Sequence, residues 1–198
     1  MEPITQFSQL DLSKTYTYAD YLTWKFDEFV ELIKGKVLRP MAGLSRRHQA
    51  LSINILRQVL PMVQGKSCQV YHAPFDVRLA SGGANGNQQI QTVVQPDICV
   101  ICDRSKLDDW GCLGAPDWII EIVSPGNTAR DTKTKFDLYE ESGVREYWIV
   151  YPGQKTITAY VLEGEQYKLM GEYIEPGALP VTTLPGLALE WADIFAED

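Results

Sequence analysis

Pro96-Asp97-Ile98-Cys99-Val100-Ile101-Cys102 and Asp117-Trp118-Ile119-Ile120-Glu121-Ile122-Val123 are two short, almost wholly apolar runs, each carrying a carboxylate, and their reading decides the fold. The second run breaks at Ser124-Pro125-Gly126. Runs this short, rich in β-branched residues and bounded by Pro or Gly, suit strands covered on both faces. Side chains alternate along a strand, so Asp97 shares a face with Cys99 and Ile101, and Glu121 with Ile119 and Val123. Both acids therefore face a packed layer, where a carboxylate needs a hydrogen bond, a cation or a metal.

Working outward, residues 128–141 read as a helix stopped by Gly143, and residues 146–151 as a strand. Together with the strand of Glu121 they form a βαβ-like unit over residues 118–150. Upstream, Thr17-Tyr18-Ala19-Asp20 has the form of a capping box and predicts a helix running to about Glu31. A tight hairpin at Lys34-Gly35 follows. Ser45 caps a second predicted helix from Arg46 to about Leu60, with Leu51, Ile55, Val59 and Leu60 at helical spacing and Pro61 as its stop. Residues 67–71 and 75–79 read as strands, and residues 81–89 as a loop. Residues 156–161 pair with 166–174 as a ribbon, and residues 189–195 read as a last short helix.

The pattern predicts an α/β fold with a mixed central sheet flanked by helices and added antiparallel β-hairpins. Residues 1–15 read as a loose lead-in. Residues 16–198 read as a single domain, with its core at about 16–152 and a C-terminal β-ribbon and short helix at 153–198. The chain has 198 residues, 45% of them hydrophobic, enough for a real core. No apolar run approaches the roughly 20 residues that span a bilayer, and the N-terminus lacks a secretory signal pattern. Four cysteines, Cys68, Cys99, Cys102 and Cys112, fall mainly in apolar segments, so reduced thiols and a cytoplasmic setting are expected. Cys99-x-x-Cys102 makes a poor half-site for zinc, because strand residues three apart face opposite ways. The net charge of −8 argues against affinity built on broad phosphate neutralisation.

Two carboxylates about 4 Å apart would repel by about 4 kcal/mol at an effective dielectric near 20. A hard divalent cation removes that cost, since Mg²⁺ takes carboxylate, water and phosphate oxygens. The pair thus reads as a metal site, with Asp97 and Glu121 as ligands; the bland alternative is a turn cap and a helix partner. Asp131, Lys135 and Tyr139 lie along one face of the following helix, which puts Lys135 within reach of a bound phosphate or leaves it as a surface partner of Asp131. Arg46, Arg47 and His48 open a helix and could meet phosphate. Asp76 reads as an accessory acid or as an edge-strand charge.

Pro96-Asp97, then Glu121-Ile122-Val123-Ser124-Pro125, then Asp131, Lys135 and Tyr139, then Gly143-Val144-Arg145-Glu146-Tyr147-Trp148-Ile149-Val150 resembles the Uma-two family of restriction-endonuclease-like proteins, in the PD-(D/E)XK nuclease superfamily. Glu31-Leu32-Ile33-Lys34-Gly35 and His48 match its N-terminal pattern, and the resemblance spans roughly residues 16–152. It implies a restriction endonuclease-like αβββαβ core and a Mg²⁺- or Mn²⁺-dependent endonuclease acting on DNA, as a homodimer. By matching motif positions Asp97 and Glu121 are the metal-binding acids. Glu31, from the end of the first helix, is a third acid that orients water or a second ion. The superfamily pattern puts Lys two residues after the Glu, where this chain has Val123. The resemblance moves that role to Lys135 on the next helix, with Lys133 as the weaker candidate. Arg47, His48 and Tyr139 are the substrate-binding candidates. Two other readings stay open: a catalytically inactive nuclease-fold binding or regulatory module, and a small phosphoester hydrolase.

Overall fold

The computed structural model describes residues 4–27, 29–39, 45–80, 86–124 and 129–196, the backbone alone for 129–131. In chain order the elements are α1 (Tyr18–Tyr21), β1 (Glu31–Ile33), β2 (Lys36–Leu38), α2 (Arg46–Val63), β3 (Gln69–His72), β4 (Val77–Arg78) and β5 (Val93–Val94). There follow β6 (Ile98–Ile101), β7 (Leu107–Asp108), β8 (Gly111–Leu113), β9 (Trp118–Ile122), α3 (Ala129–Ser142) and β10 (Glu146–Tyr151). The chain closes with β11 (Thr156–Glu163), β12 (Gln166–Tyr173), β13 (Ala178–Pro180), β14 (Ala188–Glu190) and α4 (Trp191–Ile194).

A central sheet runs β12-β11-β10-β9-β6-β3, with β9 and β10 parallel and the other pairs antiparallel. In chain order α2, β3, β6, β9, α3 and β10 supply the αβββαβ core that the resemblance implies. A second sheet, β2-β1-β5-β4-β8-β7, is built from the hairpins around that core. One face of the central sheet packs Ile98, Val100, Trp118, Ile120, Trp148 and Val150 against Leu51, Ile55 and Val59 of α2 and against the C-terminal segment. The other face packs Cys99, Ile101, Ile119, Tyr147 and Ile149 under Leu138 and Tyr139 of α3 and against Ile33, Val77 and Val94 of the second sheet. The alternation expected of the two acidic runs is therefore present.

Three local expectations are corrected. The capping box forms, with Asp20 accepting from the Thr17 backbone and hydroxyl, but α1 ends at Tyr21. Trp24 then packs on Tyr16, Tyr21 and Phe26, so a good start did not make a long helix. Glu31 consequently lies on β1 and not at a helix end, and the core helix is α2. Pro61 does not stop α2, which continues to Val63; within the last turn a proline costs only one backbone bond. The reduced state expected of all four cysteines fails for Cys68 and Cys102, which form a disulfide, while Cys99 and Cys112 are free and buried. The antiparallel register Gln69↔Ile101, continued by one residue, sets Cys68 opposite Cys102. The hairpin at Lys34-Gly35 is as expected, both residues having positive φ, the two-residue turn that suits twisted strands. Of the predicted loop 81–89, residues 81–85 lie outside the described residues. Among the described residues no helix is long and apolar enough to cross a membrane.

Candidate active site

The β6–β9 register pairs Ile98 with Ile120. Continued by one residue it sets Asp97, which immediately precedes β6, opposite Glu121 near the end of β9. Directly opposed residues have Cβ atoms about 4.5–5.5 Å apart, so adjacent antiparallel strands bring the two acids together. Asp97 is locked to β9: its Oδ2 accepts from the backbone N–H of Ile122 at 2.7 Å. The same oxygen lies 3.2 Å from Nε2 of His48.

Lys135 projects from α3 onto the acids. Its Nζ donates to Glu121 Oε1 at 2.9 Å and to Glu31 Oε1 at 3.0 Å. Residues 131, 135 and 139 share a helix face, and Tyr139, four residues on, donates its hydroxyl to the same Glu121 Oε1 at 2.6 Å. Glu31 reaches in from the second sheet, and its Oε1 also accepts from the backbone N–H of Gln95 at 3.0 Å. The side chains of Glu31, Glu121 and Asp97 are 12%, 13% and 14% exposed and that of Lys135 is 22% exposed. The cluster is thus largely desolvated and still open to a ligand.

Its electrostatics are unbalanced: among the described residues three carboxylates share one ammonium. Burial pushes the Glu121 carboxyl up to about 7, against the pull of Lys135 and with the push of Asp97 and Glu31. Burial also works against a charged Lys135, yet Glu121 and Glu31 hold it well above its ordinary value. Burial lowers His48, but the hydrogen bond and charge of Asp97, with the charge of Glu121, leave it raised. Tyr139 is raised, first by burial and then by Glu121.

The sequence-derived candidates sort by position. Asp97, Glu121, Lys135 and Glu31 converge. Lys133 does not: it donates to Asp137 on the exposed side of α3. Val123, where the superfamily has Lys, packs against the apolar core. His48 and Tyr139 are 4% and 0% exposed, and each bonds an acid. Arg47, with Arg46, is exposed on the first turn of α2 beside His48. The side chain of Asp131 lies outside the described residues. Asp76 connects to the site at one remove, its Oδ1 accepting from Gln95 Nε2 at 2.8 Å and from the Tyr21 hydroxyl at 3.3 Å.

Gln95 and Tyr21 are site neighbours that the sequence reading missed. The adjacency Gln95-Pro96-Asp97 was the one local hint for Gln95. His48 could have been placed: it extends the buried stripe of Leu51, Ile55 and Val59 by one turn.

Among the described residues no group of three or more His, Cys, Asp or Glu is arranged to ligate an ion as the chain stands. The donor set nonetheless fits a hard divalent cation. Asp97 and Glu121 are oxygen donors with one oxygen each, Oδ1 and Oε2, that accepts no hydrogen bond among the described residues. Their local charge is only partly offset by Lys135.

A sequence model of the family Uma2, "Putative restriction endonuclease", matches residues 18–192. A relative from Synechocystis sp., "Uncharacterized protein slr1290", is 23% identical over 144 residues, covering 71% of each chain. A crystal structure from Anabaena variabilis, described as "a putative nuclease belonging to DUF820", superposes with a TM-score of 0.69 at 21% identity, covering 91% of this chain and 97% of that one. At that identity the likeness shows the fold.

Proposed function

Because this chain belongs to the Uma2 family, we propose that it is a divalent-metal-dependent endonuclease that hydrolyses DNA phosphodiester bonds at the Asp97–Glu121–Lys135 cluster. The observation that carries the reading is the 2.9 Å contact between Lys135 and Glu121. It supports a lysine displaced from the strand to the helix but delivered to the same acid. Asp97 and Glu121 would hold Mg²⁺ or Mn²⁺. When bound, such an ion polarises the scissile phosphate and lowers the pKa of water at the site. Lys135 offsets the negative charge that builds on the phosphate, Glu31 holds Lys135 in place, and Tyr139 fixes the Glu121 carboxylate. Arg46 and Arg47, exposed at the rim, meet the DNA backbone as local positive charge on a chain of net charge −8. Two copies, each cutting one strand, suit a duplex, so the working form is a homodimer in the cytoplasm.

The test is plasmid nicking in Mg²⁺ or Mn²⁺ by wild type, Asp97→Ala, Glu121→Ala and Lys135→Ala. Metal-dependent nicking by wild type and a loss of about 10²-fold or more in each variant is expected. Wild type that binds Mn²⁺ but leaves DNA intact overturns the substrate and returns the small phosphoester. Wild type that does neither leaves a non-catalytic module.

A further inference from the structure

His48 occupies the buried stripe of α2 in line with Leu51, Ile55 and Val59, where an aliphatic side chain would pack at lower cost. Its Nδ1 is buried and finds no hydrogen-bond partner among the described residues. Burying an imidazole is unfavourable, and the side-chain contact that offsets it is the one between Nε2 and Asp97 Oδ2, at 3.2 Å. The geometry points to His48 as the positioning residue of Asp97, a role that rests on the reading of Asp97 and Glu121 as holders of the divalent ion.

Two donors meet on Asp97 Oδ2. The Ile122 amide, at 2.7 Å, comes from β9 within the plane of the sheet. His48 comes from the helix packed across the sheet face. A carboxylate held at one oxygen from two elements cannot rotate freely, so its Oδ1 is presented in one orientation. Tyr139 does the corresponding work for Glu121, whose Oε1 it holds from α3. Each acid is therefore fixed by a buried side chain from a different helix. The His48 contact also ties the first turn of α2, with Arg46 and Arg47, to the acid pair. Displacing the ring from Asp97 would loosen the ion site without removing any group that touches the substrate.

The discriminating variants are His48→Gln and His48→Asn, with His48→Leu as the apolar control. A Gln amide N–H reaches about where Nε2 lies, whereas an Asn amide stops near Nδ1. The measurements are Mn²⁺ affinity by isothermal titration, and kcat and KM for plasmid nicking. Loss of an outer partner of a metal-holding residue costs about 10–100-fold in affinity or activity. That loss is expected in Mn²⁺ affinity and in kcat for Leu and Asn, with KM for DNA unchanged and most of it recovered by Gln. Equal Mn²⁺ affinity across wild type, Leu, Asn and Gln overturns the role. So does a raised KM at full kcat, which would make His48 a substrate contact. If the Leu variant does not fold, the Gln–Asn contrast decides alone, equal affinities overturning the role. If wild type titrates no Mn²⁺, the metal reading itself fails and takes the role with it; if wild type binds and the variants match it, only the role of His48 fails.

Discussion

Glu121 and Glu146 are buried glutamates on adjacent parallel strands, β9 and β10, and their surroundings differ completely. Glu146, at 0% exposure, accepts from Trp148 Nε1 at 2.9 Å and from the Thr182 amide at 3.1 Å on one oxygen, and from the Thr183 amide at 2.6 Å on the other. It is a finished acceptor that ties the C-terminal segment to the sheet. Glu121 uses one oxygen for Lys135 and Tyr139, shares that lysine with Glu31 and faces Asp97. A buried acid whose lone pairs are spent on N–H groups is structural. One left half-bonded among like charges is poised for a ligand.

The largest expected contrast is in activity. Glu121→Ala should lower nicking by about 10³-fold, while Glu146→Ala should nick at the rate of its folded fraction. Equal losses in folded protein would erase the distinction between the two acids. Stability should show the reverse order. Removing Glu146 strands the N–H donors of buried Trp148 and Thr183 at about 1–3 kcal/mol each, with the exposed Thr182 adding less, so Glu146→Ala should lose about 2 kcal/mol or more in urea unfolding. Glu121→Gln should lose far less, because it relieves the crowding of carboxylates.

A third expectation concerns pH. The folded Glu121 carboxyl sits at about 7, above its ordinary 4.5, so the folded chain retains a proton there that the unfolded chain releases. Stability of the metal-free protein therefore falls as pH rises from about 4.5 to 7. His48 is also raised, so its contribution is full below its unfolded value near 6.5 and is lost as pH climbs through its folded value, which deepens the fall. Lys135 is charged in both states across this window and adds no slope. Thermal melts at pH 5 and pH 8 should show the drop, and saturating Mg²⁺ should restore more at pH 8. A flat or rising profile would remove the electrostatic tension from Glu121. The smallest effect is expected for Tyr139→Phe, which keeps the ring packing and deletes one hydroxyl. Nicking should fall about tenfold with melting nearly unchanged, and full activity would reduce Tyr139 to packing.

Much of the core was legible in sequence because its strands are short apolar runs, and a run's alternation fixes which residues share a face. Asp97 and Glu121 could be read that way from two segments alone. Lys135 needed the resemblance, since helical spacing gives a face and not its target. Glu31 was expected at a helix end and lies on β1: a capping box sets where a helix starts, while aromatic packing around Trp24 ended it after one turn. The Cys68–Cys102 disulfide was not legible, because it depends on the register of β3 against β6, which no local pattern encodes. Glu146 carried no local signal of its amide partners, which lie 36 and 37 positions along the chain.

Glu31 belongs to the sheet that carries neither Asp97 nor Glu121, and that sheet is laid down in three visits of the chain. The hairpin β1–β2 precedes α2, β4 and β5 fall between β3 and β6, and β7 and β8 fall between β6 and β9. No single cut separates one sheet from the other, and Lys135 clasps an acid from each. The cluster is therefore a seam rather than a cassette: it cannot be lifted out as a contiguous fragment, and any graft of it onto another scaffold would have to carry both sheets with it.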